Sequence, residues 1–260
     1  QTLLRVRFLR LRGKTMEKLY KKSELAFALV MIGAYVTLMS VSDGVSELIG
    51  VKKAVTAPIC AVFSAVIIAF IMKNGLKEKY GLCAAKIPAK KLIYYIPLIF
   101  SAATNMWFGL YINYSCAETV LYVAGMLFTG FLEEIIFRGF LFKALLKDGV
   151  KKAVIISSLT FGAGHAVNLI NGAEPFSTLL QICYAAAIGF LFTVIFYKTG
   201  SIVAAAVTHS AINALSAFSN KNMPVWGEVA VSVFLCVVCI AYAAYIIRVA
   251  ENKPPLKQKT

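Results

Sequence analysis

The sequence predicts an all-α, polytopic membrane protein that folds as a bundle of about eight transmembrane helices. The chain of 260 residues is 60% hydrophobic and only 15% charged, and its mean hydropathy is +0.77. It is therefore far more apolar than a soluble domain of this length. Apolar runs of about 20 residues, long enough to span a bilayer as a helix, recur along the whole chain. Because these runs are continuous rather than alternating, and because lipid cannot satisfy exposed backbone groups, helices are expected and a barrel is not.

Eight spans can be assigned to these apolar runs. The first is too long for the apolar part of a signal peptide, and no good cleavage site follows it, so it is interpreted as a membrane anchor. The third and fifth are the least clean of the eight. The predicted spans are 24–42, 54–72, 92–112, 119–142, 153–170, 176–197, 201–218 and 225–247.

The basic residues fall mostly on one side of this predicted topology. The net charge is +15, and 23 of the 27 Lys and Arg residues face the cytosol if the N-terminus lies inside. Only Lys52, Lys53 and Lys221 fall in outer loops, and Arg138 falls within a span. This asymmetry follows the positive-inside rule and predicts that both termini are cytosolic. The positive charge is then expected to face anionic lipid, so no nucleic-acid partner is predicted.

No low-complexity linker divides the chain, which is expected to form a single membrane domain at 23–250. A basic cytosolic leader is expected at 1–22 and a cytosolic tail at 251–260. The first residue is not Met, and Met16 would be a natural start. Residues 1–15 could therefore be non-native and are given no functional weight.

Charged side chains interrupt the apolar pattern in the stretch GFLEEIIFRGFL at 130–141. A buried ionisable group costs roughly 2.5–3.5 kcal/mol on insertion scales, so such groups are functional candidates by default. Glu134 and Arg138 are spaced i, i+4 and can pair on one helix face. Glu133 is rotated by about 100° from Glu134 and has no partner on its own helix. One glutamate is therefore expected to be structural and the other free for chemistry.

The only two histidines of the chain also fall inside apolar spans. His165 lies in FGAGHAVNL, and His209 lies in VTHSAINAL, where Asn213 follows at i+4. Helix rise puts Glu133, His165 and His209 roughly 12–18 Å from the cytosolic face. This common depth predicts one shared site in the cytosolic half of the bilayer. The structural alternatives are packing histidines and a Glu–Arg pair that only joins helices.

These side chains are suited to the activation of water. A carboxylate can act as a general base, and His and Asn side chains can donate hydrogen bonds to an oxyanion. The same side chains could instead bind a divalent metal, and zinc is then the expected ion. The ligands would be Glu133, His165 and His209, and Asn213 could complete the set. Ser210 adjoins His209 but does not face it, so nucleophilic catalysis is weakly supported. Metal-assisted and metal-free hydrolysis both stay open at this point.

Three motifs on successive apolar helices resemble the CPBP family, which comprises the CAAX-prenyl-protease-2-like, Abi and bacteriocin-immunity membrane proteins. EEIIFR matches EExxxR, FGAGH matches FxxxH, and HSAIN matches HxxxN, all within 133–213. The resemblance covers roughly 90–218, which is the expected catalytic core. It implies an intramembrane endopeptidase of a kind usually described as a metalloprotease. The roles it implies are water activation for Glu133, assistance for His165, an oxyanion or metal site for His209 and Asn213, and support from Glu134 and Arg138.

The resemblance also implies a membrane-associated protein or peptide as substrate and the lipid bilayer as surroundings. Eukaryotic and archaeal relatives remove the last three residues of prenylated CaaX proteins, while peptide maturation or bacteriocin self-immunity is the alternative use. A bacterial plasma membrane is the expected location. Two other functions stay open: a non-catalytic membrane adaptor or immunity protein, and a proton-coupled transporter. A transporter would also bury Glu and His, but the spans show no clear inverted repeat.

Overall fold

The computed structural model describes residues 16–85 and 95–250, and this part of the chain contains helices and loops but no strand. Residues 1–15 of the predicted leader, the predicted tail at 251–260, and residues 86–94, which include the start of the third predicted span, lie outside the described residues. A short helix at 16–22 precedes the bundle. The bundle helices are α1 (Glu24–Ile49), α2 (Thr56–Lys73), α3 (Ile96–Ala103), α4 (Cys116–Glu134), α5 (Val150–Gly164), α6 (Val167–Ile170), α7 (Pro175–Thr199), α8 (Val203–Leu215) and α9 (Val225–Ala250).

Six helical segments of the described chain are long and apolar enough to cross a membrane. The other two predicted spans are shorter apolar helices, Ile96–Met106 and Val203–Phe218. The all-α, polytopic membrane architecture is thus confirmed, whereas the count of eight spans is not. The fifth predicted span is long enough but broken, because α5 ends at Gly164 and α6 begins at Val167. The seventh, which looked clean in the sequence, is one of the two short ones.

The fourth predicted span is a longer helix than expected, and its geometry changes halfway. After Glu134, α4 continues as a π-helix over Ile135–Phe142 and then through short helical turns to Asp148. The continuous segment Cys116–Asp148 has 33 residues. A π-helix is rare, and where it occurs it frequently marks a functional site. This one begins directly after the two adjacent glutamates.

Two helices form the centre of the bundle. In the apolar stretches of 18 residues, 56% of the residues are buried in Cys116–Asp148, which contains α4, and in α7, compared with 28% in α1 and in α9. α4 packs against α2 and α8, while α7 packs against α5 and α9. The polar residues of α4 therefore lie inside the protein, away from the apolar side chains that the outer helices expose.

Local sequence signals define the ends of the central helices. Ser115 and Glu118 form a capping box at the start of α4, in which each side chain binds the backbone N–H of the other residue. Such a box satisfies two backbone donors that the first helical turn leaves free. Glu174 caps α7 just before Pro175, and Gly200, which has a φ of 69°, caps the helix after Thr199. These caps fix the registers from which the site residues project.

Candidate active site

The predicted pair of Glu134 and Arg138 is present and lies at the centre of the site. Arg138 Nη1 donates a hydrogen bond to Glu134 Oε1 over 2.9 Å, and both side chains have no exposed surface. The same carboxylate oxygen lies 2.7 Å from His209 Nδ1. Glu134 therefore connects the cation on its own helix with the imidazole on α8.

His209 bridges the two adjacent glutamates. Its Nε2 lies 3.1 Å from Glu133 Oε2, while its Nδ1 contacts Glu134. Ionised carboxylates only accept hydrogen bonds. The imidazole ring therefore donates a hydrogen bond to both carboxylates when both of its nitrogens carry a proton. The two carboxylates are then balanced by one imidazolium and the Arg138 guanidinium. This balance matters because an unpaired charge in an apolar interior is very costly.

Tyr35 is a site residue that the sequence analysis did not find. Its hydroxyl donates a hydrogen bond to Glu133 Oε1 over 2.8 Å, although it lies 98 positions away on α1. The sequence offered no signal for it, because a tyrosine in an apolar helix is unremarkable until its neighbours are known. Together, Tyr35 and His209 hold one oxygen each of the Glu133 carboxylate.

Arg138 is stabilised by aromatic rings as well as by Glu134. Its guanidinium carbon lies 4.1 Å from the ring centroid of Phe161 and 5.8 Å from that of Phe192. Its Nε and Nη2 have no hydrogen-bond partner among the described residues. Cation–π contacts of this kind gain strength when the cation is desolvated. The rings thus partly replace the water that the buried guanidinium has lost.

The sequence predicted His165 inside a continuous helix. In the structure it lies instead at the break between α5 and α6. Its ring packs against Phe161, with 5.2 Å between the ring centroids. Asn213 lies on α8, one turn after His209. Both side chains line the same cavity as Glu133, and neither donates a hydrogen bond to another described residue. They are thus available to a bound molecule.

The cavity has a volume of about 250 Å³, and its walls include Glu133, His165, His209 and Asn213. Glu134 and Arg138 lie behind this wall, fully buried. The structure therefore brings all six predicted residues into one region but divides them into two layers. From the site, the cavity extends towards Asp43 and Lys53, at the end of the bundle opposite the 16–22 helix.

The predicted metal-ligand set does not have the arrangement of a metal site. Among the described residues, no three His, Cys, Asp or Glu side chains form a group that could hold a metal ion. A histidine ligand must present a nitrogen lone pair to the metal, but both ring nitrogens of His209 face carboxylate oxygens. Zinc binding stays a prediction, which metal analysis of the purified protein tests.

Glycine lets α4 and α8 approach closely enough for His209 to reach both glutamates. A Cβ atom on Gly130 would lie 2.4 Å from the backbone nitrogen of Ser210 and 2.8 Å from the carbonyl carbon of His209. On α5, a Cβ atom on Gly162 would lie 2.7 Å from the carbonyl oxygen of Ile182 on α7. Small residues commonly permit such approaches in membrane bundles. Gly164, two residues further along α5, makes only ordinary contact with Phe137.

Gly130→Ala is expected to push α8 away from α4 and to move His209 out of reach of Glu133. Because the added methyl group meets backbone rather than a flexible side chain, we expect a loss of about 1–3 kcal/mol in the free energy of unfolding. Activity should fall by at least about tenfold, since misplacement by 1 Å can cost more than that. Gly33→Ala is the matched control, because nothing lies within 4 Å of its new methyl group. Equal stability and activity in the two variants would contradict this account of the helix contact.

The fold and the site together define a polytopic membrane protein with a buried carboxylate–imidazole centre that opens into a cavity. Residues 115–215 match the Rce1-like family model, described as type II CAAX prenyl endopeptidase Rce1-like. The matched segment contains all six predicted site residues, and it confirms the resemblance to the CPBP family. The match supports a CAAX-type intramembrane protease. No curated protein and no solved structure matches the chain.

Proposed function

We propose that this protein is an intramembrane endopeptidase that hydrolyses a peptide bond in a membrane-associated protein or peptide. The observation that carries the proposal is the state of Glu133. Its carboxylate lies at the cavity wall, one oxygen held by Tyr35 and the other by His209, while His165 and Asn213 face the same cavity without partners. A positioned base beside uncommitted hydrogen-bond donors is what hydrolysis requires.

In the proposed mechanism, Glu133 activates the attacking water. Each carboxylate oxygen keeps a second lone pair, so a water molecule in the cavity can donate a hydrogen bond to it. Glu133 takes a proton from this water as the oxygen attacks the carbonyl carbon of the substrate. The tetrahedral oxyanion accepts hydrogen bonds from His165 and Asn213. When the C–N bond breaks, Glu133 returns the proton to the leaving amine, and a carboxylate and an amine are released.

His209 receives a different role from the one that the resemblance implied. Both of its ring nitrogens are engaged with carboxylates, so we assign it to holding Glu133 rather than to the oxyanion. Glu134 fixes the ring from behind, and Arg138 neutralises Glu134. In this scheme Glu134 and Arg138 are positioning residues that never touch the substrate.

The substrate class follows from the surroundings of the site. The cavity is bounded by apolar side chains such as Met39, Met126 and Phe137 as well as by polar ones, and the bundle lies in lipid. A peptide that carries an apolar or lipidated segment fits these surroundings. We therefore propose CAAX-type processing, or maturation of a membrane-active peptide, in the plasma membrane of a bacterium with both termini in the cytosol.

Replacement of the two histidines tests whether they serve one reaction. His165→Ala and His209→Ala are each expected to remove nearly all cleavage of a farnesylated CaaX peptide, followed by mass spectrometry of the products. Because both act on the same step, the double variant should be no slower than the slower single variant. Independent contributions would instead multiply.

Two outcomes count against the proposal. Multiplying losses would mean that the histidines act separately, and full activity in either single variant would remove that residue from the site. Thermal unfolding of each purified variant in detergent, compared with the wild type, separates these results from simple misfolding. A broader library of membrane-active peptides, assayed in parallel, covers substrates that carry no prenyl group.

A further inference from the structure

A basic residue lies at the far end of the cavity from Glu133. Tyr35, Met39 and Asp43 are spaced by four on α1, and all three line the cavity wall. At 1.5 Å per residue, Asp43 lies about 12 Å along the helix axis from Tyr35, whose hydroxyl binds Glu133. The turn after α1 brings Lys53 to the same end. Among the described residues, Lys53 is the one Lys or Arg side chain in the cavity wall.

The backbone of Lys53 is in a conformation that favours glycine. Its φ is 61°, and no other non-glycine residue in the described part of the chain has a positive φ. Left-handed backbone at such a residue costs free energy and tends to persist where the side chain has a function. The chain keeps a lysine where glycine would fit without strain, so the side chain itself is expected to have a task.

A purely structural task is poorly supported, because other bonds already fasten this turn. Ser46 Oγ accepts a hydrogen bond from the backbone N–H of Val55 over 3.0 Å and lies 3.4 Å from the Thr56 hydroxyl. Gly50 closes the end of α1 with its own backbone bonds. The ion pair between Lys53 and Asp43 is therefore additional to a turn that is closed without it.

Asp43 holds the lysine in place but leaves it able to bind an anion. Lys53 Nζ lies 2.8 Å from each Asp43 carboxylate oxygen, and Thr56 also donates to Asp43. An ammonium group has three protons, so one donor remains. A substrate carboxylate can accept it.

We propose that Lys53, held by Asp43, binds a carboxylate of the substrate at the mouth of the cavity. An extended peptide rises about 3.3 Å per residue, so about 12 Å corresponds to three or four residues beyond the bond that Glu133 hydrolyses. The carboxylate is either the C-terminal group of the peptide or an Asp or Glu side chain at that distance. This assignment of substrate specificity rests on the proposed peptidase function.

The test measures peptide binding in a variant whose turnover is expected to be at least about a hundredfold slower than that of the wild type. Full-length Glu133→Gln protein in detergent is titrated with three dye-labelled, farnesylated Cys-Val-Ile-Ala peptides: the free acid, the C-terminal amide, and an amide with Asp in place of the last Ala. At least one carboxylate peptide should bind about tenfold more tightly than the plain amide, the size expected of one charge-assisted hydrogen bond. Which of the two binds tightly identifies the source of the carboxylate.

Two lysine variants in the same background make the test specific. Lys53→Met should abolish the difference between the peptides. Lys52→Met, the matched control, should preserve it, because Lys52 is exposed and binds Glu47 rather than the cavity. Three results would each overturn the proposal: equal binding of all three peptides to the Glu133→Gln protein, no binding of any peptide, or a difference between the peptides that survives Lys53→Met.

Lys53→Gly distinguishes a binding residue from a structural tether. It removes the backbone strain together with the cation, so its unfolding temperature should be at or above that of Lys53→Met while the carboxylate preference is lost. An equal loss of stability in both variants, with carboxylate preference retained, would identify a tether. Turnover is assayed separately with the wild type. Cleavage that is unaffected by Lys53→Met would refute only the binding of the substrate carboxylate by Lys53. No cleavage of any peptide would refute the peptidase function.

Discussion

Glu133→Gln is expected to lower the rate of peptide hydrolysis by about 10²–10⁴-fold, the usual contribution of a general base. The amide has nearly the same shape as the carboxylate and still contacts the cavity, but it cannot take a proton from water. Because Glu133 borders the cavity and is not the partner of Arg138, the fold should be largely retained. Initial rates and thermal unfolding of the purified variant in detergent provide the two readouts.

Tyr35→Phe is the graded control for this change. It removes one hydrogen bond to Glu133 but leaves the carboxylate and its contact with His209. We expect a smaller loss of rate, about tenfold. A factor of ten corresponds to about 1.4 kcal/mol, which is close to the contribution of one hydrogen bond to a charged group. A Glu133→Gln protein with at least a tenth of wild-type activity, or one slower only because it is unfolded, would disprove the assignment of the base.

Glu134→Gln should produce the opposite balance of effects, although the residue is adjacent and the substitution is the same. It leaves Arg138 buried without a full negative charge, and breaking a buried ion pair typically costs about 3–5 kcal/mol. Arg138 has no exposed surface and cannot turn to solvent. The free energy of unfolding, measured by titration with SDS in mixed micelles, should fall by about this amount.

A double variant separates the charge of Glu134 from its contact with His209. Glu134→Leu with Arg138→Met removes both charges, and replacing a buried pair by apolar residues is often close to neutral for stability. Stability should therefore recover relative to Glu134→Gln. Activity should stay low, because His209 Nδ1 has lost its acceptor. Full activity in a stable double variant would show that Glu134 does not position His209.

The parts of the site that depend on one helix were predictable from the sequence. Glu134 and Arg138 pair because the i, i+4 spacing brings them together, whereas Glu133 lies about 100° further round the helix. The depth argument placed Glu133, His165 and His209 at one level, and the structure has all three in the wall of one cavity.

The parts that depend on how helices rotate against one another were not predictable. The contact of Tyr35 with Glu133 and the bridging position of His209 are set by the approach of α1 and α8 to α4. No proline or glycine pair signals the π-helix over Ile135–Phe142 or predicts its extent. The break beside His165 was equally hidden, because the residues around it are apolar enough to read as one span.

The central claim is that Glu133 activates water, which then attacks the peptide bond directly. The measurement that tests it most directly is a single turnover in H₂¹⁸O, with the enzyme in excess over a farnesylated peptide. We predict one ¹⁸O atom in the new carboxylate of the product and none in the Glu133 side chain, with product from Glu133→Gln formed at least about a hundredfold more slowly. Label in Glu133 would mean that it had attacked as a nucleophile, and normal product formation by Glu133→Gln would mean that another residue activates the water.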